Sequence, residues 1–137
     1  MSNLNEEICK VDFDELVNSA TPAPDVFSVT LRGVTVATKL KRGTVLAISD
    51  TDGKMVVLGT TLKTTGSGET AKTETLTANC ILSDDVDAGT ADTSAFAYRT
   101  GHFNRNSLIV ADGYTLKATD EEELRKGGIL LSDAVKI

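Results

Sequence analysis

A chain of 137 residues has room for one domain, and at this size folding buries roughly two thirds of the unfolded surface, enough for one core without staples. The formal net charge of −6 works against binding a phosphate backbone, which needs clustered Lys and Arg to release counterions. No apolar run is long enough to span a bilayer. Aromatic residues make up 4%, Trp is absent and Thr is abundant, so the core is expected to be Val, Leu, Ile and Ala, with Thr on half-buried strands.

Residues 1–24 read as an arm. Leu4, Ile8, Val11 and Leu16 are too sparse for a helical stripe, and Asn18 to Pro24 is a run of small residues closed by two prolines. The polar, acidic start is unlike a signal peptide, so synthesis in the cytoplasm is expected. Cys9 and Cys80 match no CxxC or metal-finger spacing and are read as free thiols.

From Asp25 the period becomes two. Val26, Ser28 and Thr30 alternate with Phe27, Val29 and Leu31, which predicts a strand; Gly33 interrupts it and 34–36 resumes it. Residues 44–49 and 54–58 form the next pair, joined by a turn in which Asp52-Gly53 supplies the positive φ. The Thr-, Gly- and Ser-rich segment 60–72 has little to bury and is expected to be an exposed hairpin tip or loop. Strands are expected at 73–82 and 93–99, with a turn-rich exit at 83–89 and a polar turn at 104–106. One short helix is signalled near the C-terminus. Thr119 and Glu122 have capping-box spacing, acidic residues lie at its positive end, Arg125 and Lys126 at its negative end, and Gly127 is read as the stop. A closing strand is expected over 129–135. The domain proper is therefore 25–137.

Each constellation that could carry chemistry has a plainer reading. Asp84, Asp85 and Asp87 resemble half a calcium loop, but no Glu follows at the required place, and an Asp-rich turn bonding its own backbone explains them better. His102 has no second histidine with which to share a metal, and no serine lies in a nucleophile-elbow context. Lys54 sits at a hairpin tip, as the modified lysine of swinging-arm carrier domains does, yet Gly53 precedes it where those domains carry Met or a similar residue. The glycines of 66–68 lack phosphate-loop spacing. The chain is read as non-enzymatic, with no metal and no cofactor.

Four stretches carry a resemblance: Leu40 to Leu46, Ile81 to Ala88, Tyr98 to Leu108, and Leu124 to Ile129. In that order and spacing the chain resembles the head-decoration (capsid-stabilising) proteins of tailed phages, the lambda D and SHP type, with Gly43, Leu46, Leu82, Asp85, Gly101, Phe103 and Leu108 as the motif residues. His102 departs from the relatives, which often carry an acidic or small polar residue there. The resemblance implies an all-β, β-clip or β-tulip body with one short helix, assembled as a homotrimer on the outside of an expanded capsid. It also implies an N-terminal arm that orders on the major capsid protein. Leu4, Ile8, Val11, Phe13 and Leu16 are then the docking residues of the arm. Val26, Phe27 and Val29 are either docking residues next to it or core. The alternatives are another virion component of tail or neck, or a small carrier or enzyme domain centred on Lys54 or His102.

Overall fold

A computed structural model describes residues 16–133. Eleven strands and one α-helix are defined there: β1 (Val17–Ser19), β2 (Asp25–Leu31), β3 (Thr38–Leu40), β4 (Val45–Ser49), β5 (Met55–Val57), β6 (Thr64–Thr65), β7 (Lys72–Thr73), β8 (Leu76–Leu82), β9 (Val86–Ala88), β10 (Thr93–Asn104), α1 (Ala118–Gly127) and β11 (Ile129–Ser132). The all-β class with one short helix near the C-terminus is what the structure shows.

Five strands close into a barrel in the order β10, β2, β5, β4 and β8, with β8 returning to β10 through Ala97–Leu82 and Tyr98–Ile81. All these pairings are antiparallel except β2 with β5, which touch at one position, Leu31 against Met55, and then diverge. β10 is the longest strand, 12 residues. Its first half belongs to the barrel, paired with β2 from Thr93 to Thr100. Its second half leaves the barrel to lie between β1 and a parallel β11.

β4 and β8 explain why parts of this sequence lack alternation. Leu46, Cys80 and Leu82 point into the barrel with Val29, Leu31, Met55, Ala95 and Ala97. Val45, Ala47, Ala78 and Ile81 point the other way, into a second core with Leu16, Leu58, Phe103, Leu124 and Ile129. A strand buried on both faces reads as a continuous apolar run, as at 45–48 and 80–82. Phe103 is the one aromatic among the fully buried large side chains, so the expected aliphatic core is observed. Cys80 is a buried free cysteine, and Cys9 lies outside the described residues.

Within the segment read as an arm, Leu16 is 1% exposed and its carbonyl accepts the Asn104 amide at 2.7 Å, while β1 pairs with β10. Several expectations are corrected. Residues 34–36 form no strand. The chain there is a pinned loop, with the Gly33 amide donating to the Asp92 carboxylate and the Val34 amide to the Gly89 carbonyl. The exit at 83–89 contains β9, which pairs with β3. The 60–72 segment is the exposed β6–β7 hairpin, as expected.

The helix also starts elsewhere. Lys117 precedes its first turn, and its amide donates to Asp120 at 3.0 Å, so Asp120 is the capping carboxylate and Thr119 lies inside the helix. The stop is Gly128, at φ 105°, rather than Gly127. Asp120→Ala is therefore expected to cost about 1 kcal/mol in urea denaturation. Thr119→Ala should stay within about 0.5 kcal/mol of the parent. A reversed ranking would restore the original cap assignment.

Candidate docking surface

The motif residues meet at one structural joint, and apart from the exposed Asp85 they leave little of themselves at the surface. The Gly43 amide donates to the Leu82 carbonyl at 3.0 Å, the Leu82 amide to the Thr44 carbonyl at 2.9 Å, and the Ile109 amide to the Gly43 carbonyl at 3.0 Å. The Asp85 carboxylate accepts the Arg42 amide at 2.8 Å. Gly101 and Phe103 bring the second half of β10 against this joint, Leu46 and Leu82 fill the barrel, and Leu108 packs on the second core. Arg42 is half-buried. Its guanidinium lies over the Tyr98 ring at 5.4 Å and donates to the Tyr98 hydroxyl and the Ser83 carbonyl.

Outside the barrel, β2 and β10 present a neutral face. Their register sets Ser28 opposite Phe96 and Thr30 opposite Ser94, with Val26 at one end. Phe96 is 58% exposed and Val26 44%. An exposed aromatic among serines and threonines is the ground on which a macromolecular partner gains area at little desolvation cost. Sequence reasoning kept Val26 and passed over Phe96. The signal was there: Ala95 and Ala97 have the small side chains of the inward face, so Phe96 between them must point out.

The proposed arm residues divide three ways. Leu4, Ile8, Val11 and Phe13 lie outside the described residues. Leu16 and Val29 are buried, at 1% and 6% exposure, each filling space under a neighbouring strand. Phe27 is half-buried beneath the Arg99 guanidinium at 6.0 Å, which in turn pairs with Asp25.

Next to the neutral face a clamp closes the end of the barrel. Arg32 donates from both terminal nitrogens to Glu74, at 2.5 and 3.1 Å, and from Nε to Asp52 at 3.0 Å. Glu74 also accepts from the Ser49 hydroxyl and the Lys63 amide, both at 2.7 Å. The Arg32 guanidinium holds the Glu74 and Asp52 carboxyls down at about 2. This clamp ties the end of β2 to the β4–β5 turn and to the stem of the β6–β7 hairpin.

The titratable residues singled out earlier have structural partners. His102 Nε2 lies 2.7 Å from Ser132 Oγ, and Asn18 Nδ2 donates to the same hydroxyl at 2.6 Å, which fastens β1, β10 and β11 by their side chains. The serine that the sequence could not supply is thus present. It sits in a paired strand, and its hydroxyl is already shared with Asn18, so the contact reads as a fastening. Lys54 pairs with Asp92 at 2.5 Å, and Asp92 raises its pKa. Asp84, Asp85 and Asp87 form no metal-binding group, and none occurs among the described residues. No described helix is long and apolar enough to cross a membrane.

A small closed barrel with a neutral apolar face defines a β-rich protein of the structural, partner-binding class. Residues 14–129 match the family model of the bacteriophage lambda head decoration protein D, and the chain belongs to that family. It is a phage structural family with a role in the capsid, and it is not a family of enzymes. No curated protein matches the chain.

Proposed function

We propose that the chain binds the outer surface of an expanded phage head as a homotrimer at local threefold positions and stabilises the shell against DNA pressure. The carrying observation is the family match over 14–129, which spans the barrel, the joint of motif residues and most of the second core. The partner is the major capsid protein. No nucleic acid and no membrane take part, in keeping with a net charge of −6. Many copies on a lattice make weak single contacts sufficient, and an arm that orders on docking gains main-chain hydrogen bonds by strand addition.

The arm is placed at residues 1–15, because deletion through 24 would remove Leu16 and β1 from the body. A protein lacking 1–15 should keep its folded body and its trimer in solution yet fail to co-sediment with purified expanded heads. Full decoration by the truncated protein would sink the arm assignment. Bare and decorated DNA-filled heads compared on heating test the stabilising role, since decoration should raise the temperature at which DNA escapes.

A further inference from the structure

The barrel wall is incomplete between β2 and β5, which share one bridge, Leu31 with Met55, and a groove of about 710 Å³ opens there. Two strand edges line it. One is β5. The Leu58 amide donates to the Val45 carbonyl and the Ser49 amide to the Lys54 carbonyl, so by the alternation of an antiparallel ladder the main-chain groups of Met55 and Val57 face away from β4. The Met55 carbonyl accepts the Arg32 amide and the Val57 carbonyl the Thr60 amide, which leaves the Val57 amide turned to the gap with no partner among the described residues. The other edge is β3, which pairs only with β9 among the described residues. Exposed apolar side chains gather here: Val34 and Ile109 line the groove, and Val36 and Leu62 stand in the segments that supply Thr35 and Thr61 to its lining. Lys39 and Lys41 also line it, both exposed and neither in an ion pair among the described residues; Asp112 is the lining carboxylate. Arg32 reaches it too, with its charge already engaged by Glu74 and Asp52.

We propose that this groove receives an extended segment of the major capsid protein, apolar at alternate positions and acidic where it meets Lys39 and Lys41. This rests on the capsid-binding reading above and names the place on the chain where the partner's strand adds. Three features choose the occupant. An open strand edge with an unpaired amide calls for a peptide backbone, which an alkyl chain cannot answer. A strand in that position turns every second side chain toward the apolar lining. The two lysines, on a chain of net charge −6, attract an acidic segment and repel a basic one. A second copy has no such strand to give among the described residues, since β2, β4, β8 and β10 each lie between two neighbours in their own body.

A photo-crosslinker at the groove tests this on decorated heads. Thr61→Cys in a Cys9→Ser background takes a benzophenone maleimide at one exposed thiol, because Cys80 is buried and burial pushes its thiol up to about 12. Ser94→Cys carries the same label on the neutral face. On expanded heads the Thr61 label should attach within one stretch of the major capsid protein that alternates apolar residues and holds more Asp and Glu than Lys and Arg. The Ser94 label should not reach that stretch. Lys39→Glu with Lys41→Glu should weaken head binding roughly tenfold in co-sedimentation at an unchanged melting midpoint, and Lys39→Arg with Lys41→Arg should bind as the parent does. Attachment to a second copy, to a basic stretch, or to nothing while the labelled chain still decorates, overturns the inference and leaves the capsid-binding reading standing. So does unchanged binding by the charge-reversed pair, which decides alone if the label itself blocks decoration. A small amphiphile held by the free protein in native mass spectrometry overturns it as well. Failure of the parent chain to co-sediment with heads sinks the capsid-binding reading and the inference together.

Discussion

Replacing Arg32 with alanine is expected to destabilise the fold by about 3–5 kcal/mol, because it leaves the Glu74 carboxylate buried without its counter-charge. Glu74 is 2% exposed and the Arg32 side chain 15%, so neither end of the pair can turn to water. In thermal denaturation the midpoint should fall by about 10 °C or more. The double variant Arg32→Met, Glu74→Leu should recover most of the loss, since removing both charges also removes their desolvation cost. If the double variant is as unstable as the single one, the hydrogen bonds to Ser49 and Lys63 matter more than the ion pair.

The same pair sets a pH dependence. Glu74 is held at about 2, below its ordinary 4.5, so its contribution is complete above roughly pH 4.5 and fades as pH falls toward 2. In Arg32→Ala the carboxyl has lost the charge that lowered it. The stability gap between parent and variant should therefore be widest at neutral pH and narrow on acidification. A gap that stays constant from pH 7 to pH 3 would falsify this account of the clamp.

The second large effect is expected at Gly101. Its φ is 148°, outside the comfortable range of other residues, and a Cβ there would lie 2.5 Å from Cζ of Phe103. Phe103 is fully buried between β1, β11 and the Tyr98 ring at 5.1 Å, and has nowhere to retreat. Backbone strain together with overpacking places Gly101→Ala at about 3 kcal/mol. Because the clash is with the ring, Phe103→Leu in the Gly101→Ala background should be less harmful than it is alone. Additive losses in chemical denaturation would instead assign the whole effect to the backbone.

How far the sequence could be read depended on the range of the interactions involved. The hairpin of β4 and β5 was visible because its determinants, two short apolar runs and Asp52-Gly53 between them, lie within a dozen residues of one another. The helix was visible as an element but misplaced at its ends: Asp120 and Gly128 compete locally with Thr119 and Gly127, and only geometry decides between such neighbours. β10 was read as ending at Arg99, whereas the register shift after Tyr98 lets the strand bend and continue. Leu16 looked like one sparse apolar residue of an arm; its burial depends on Leu124 and Ile129, more than a hundred residues away. The clamp was out of reach for the same reason, since Arg32 and Glu74 are 42 residues apart. The resemblance motifs located a joint of the scaffold, while the neutral face is made of positions outside them.

The length of β10 has a mechanical consequence. Twelve residues of strand span roughly 40 Å without a break. The same backbone that pairs with β1 at Phe103 also carries Phe96 on the barrel wall. A pull applied at Leu16 enters β10 through β1 and travels along covalent bonds to the far side of the molecule. The two cores are thus coupled in series along one continuous strand, and tension at the N-terminal side reaches the outer face through the bend at the register shift after Tyr98.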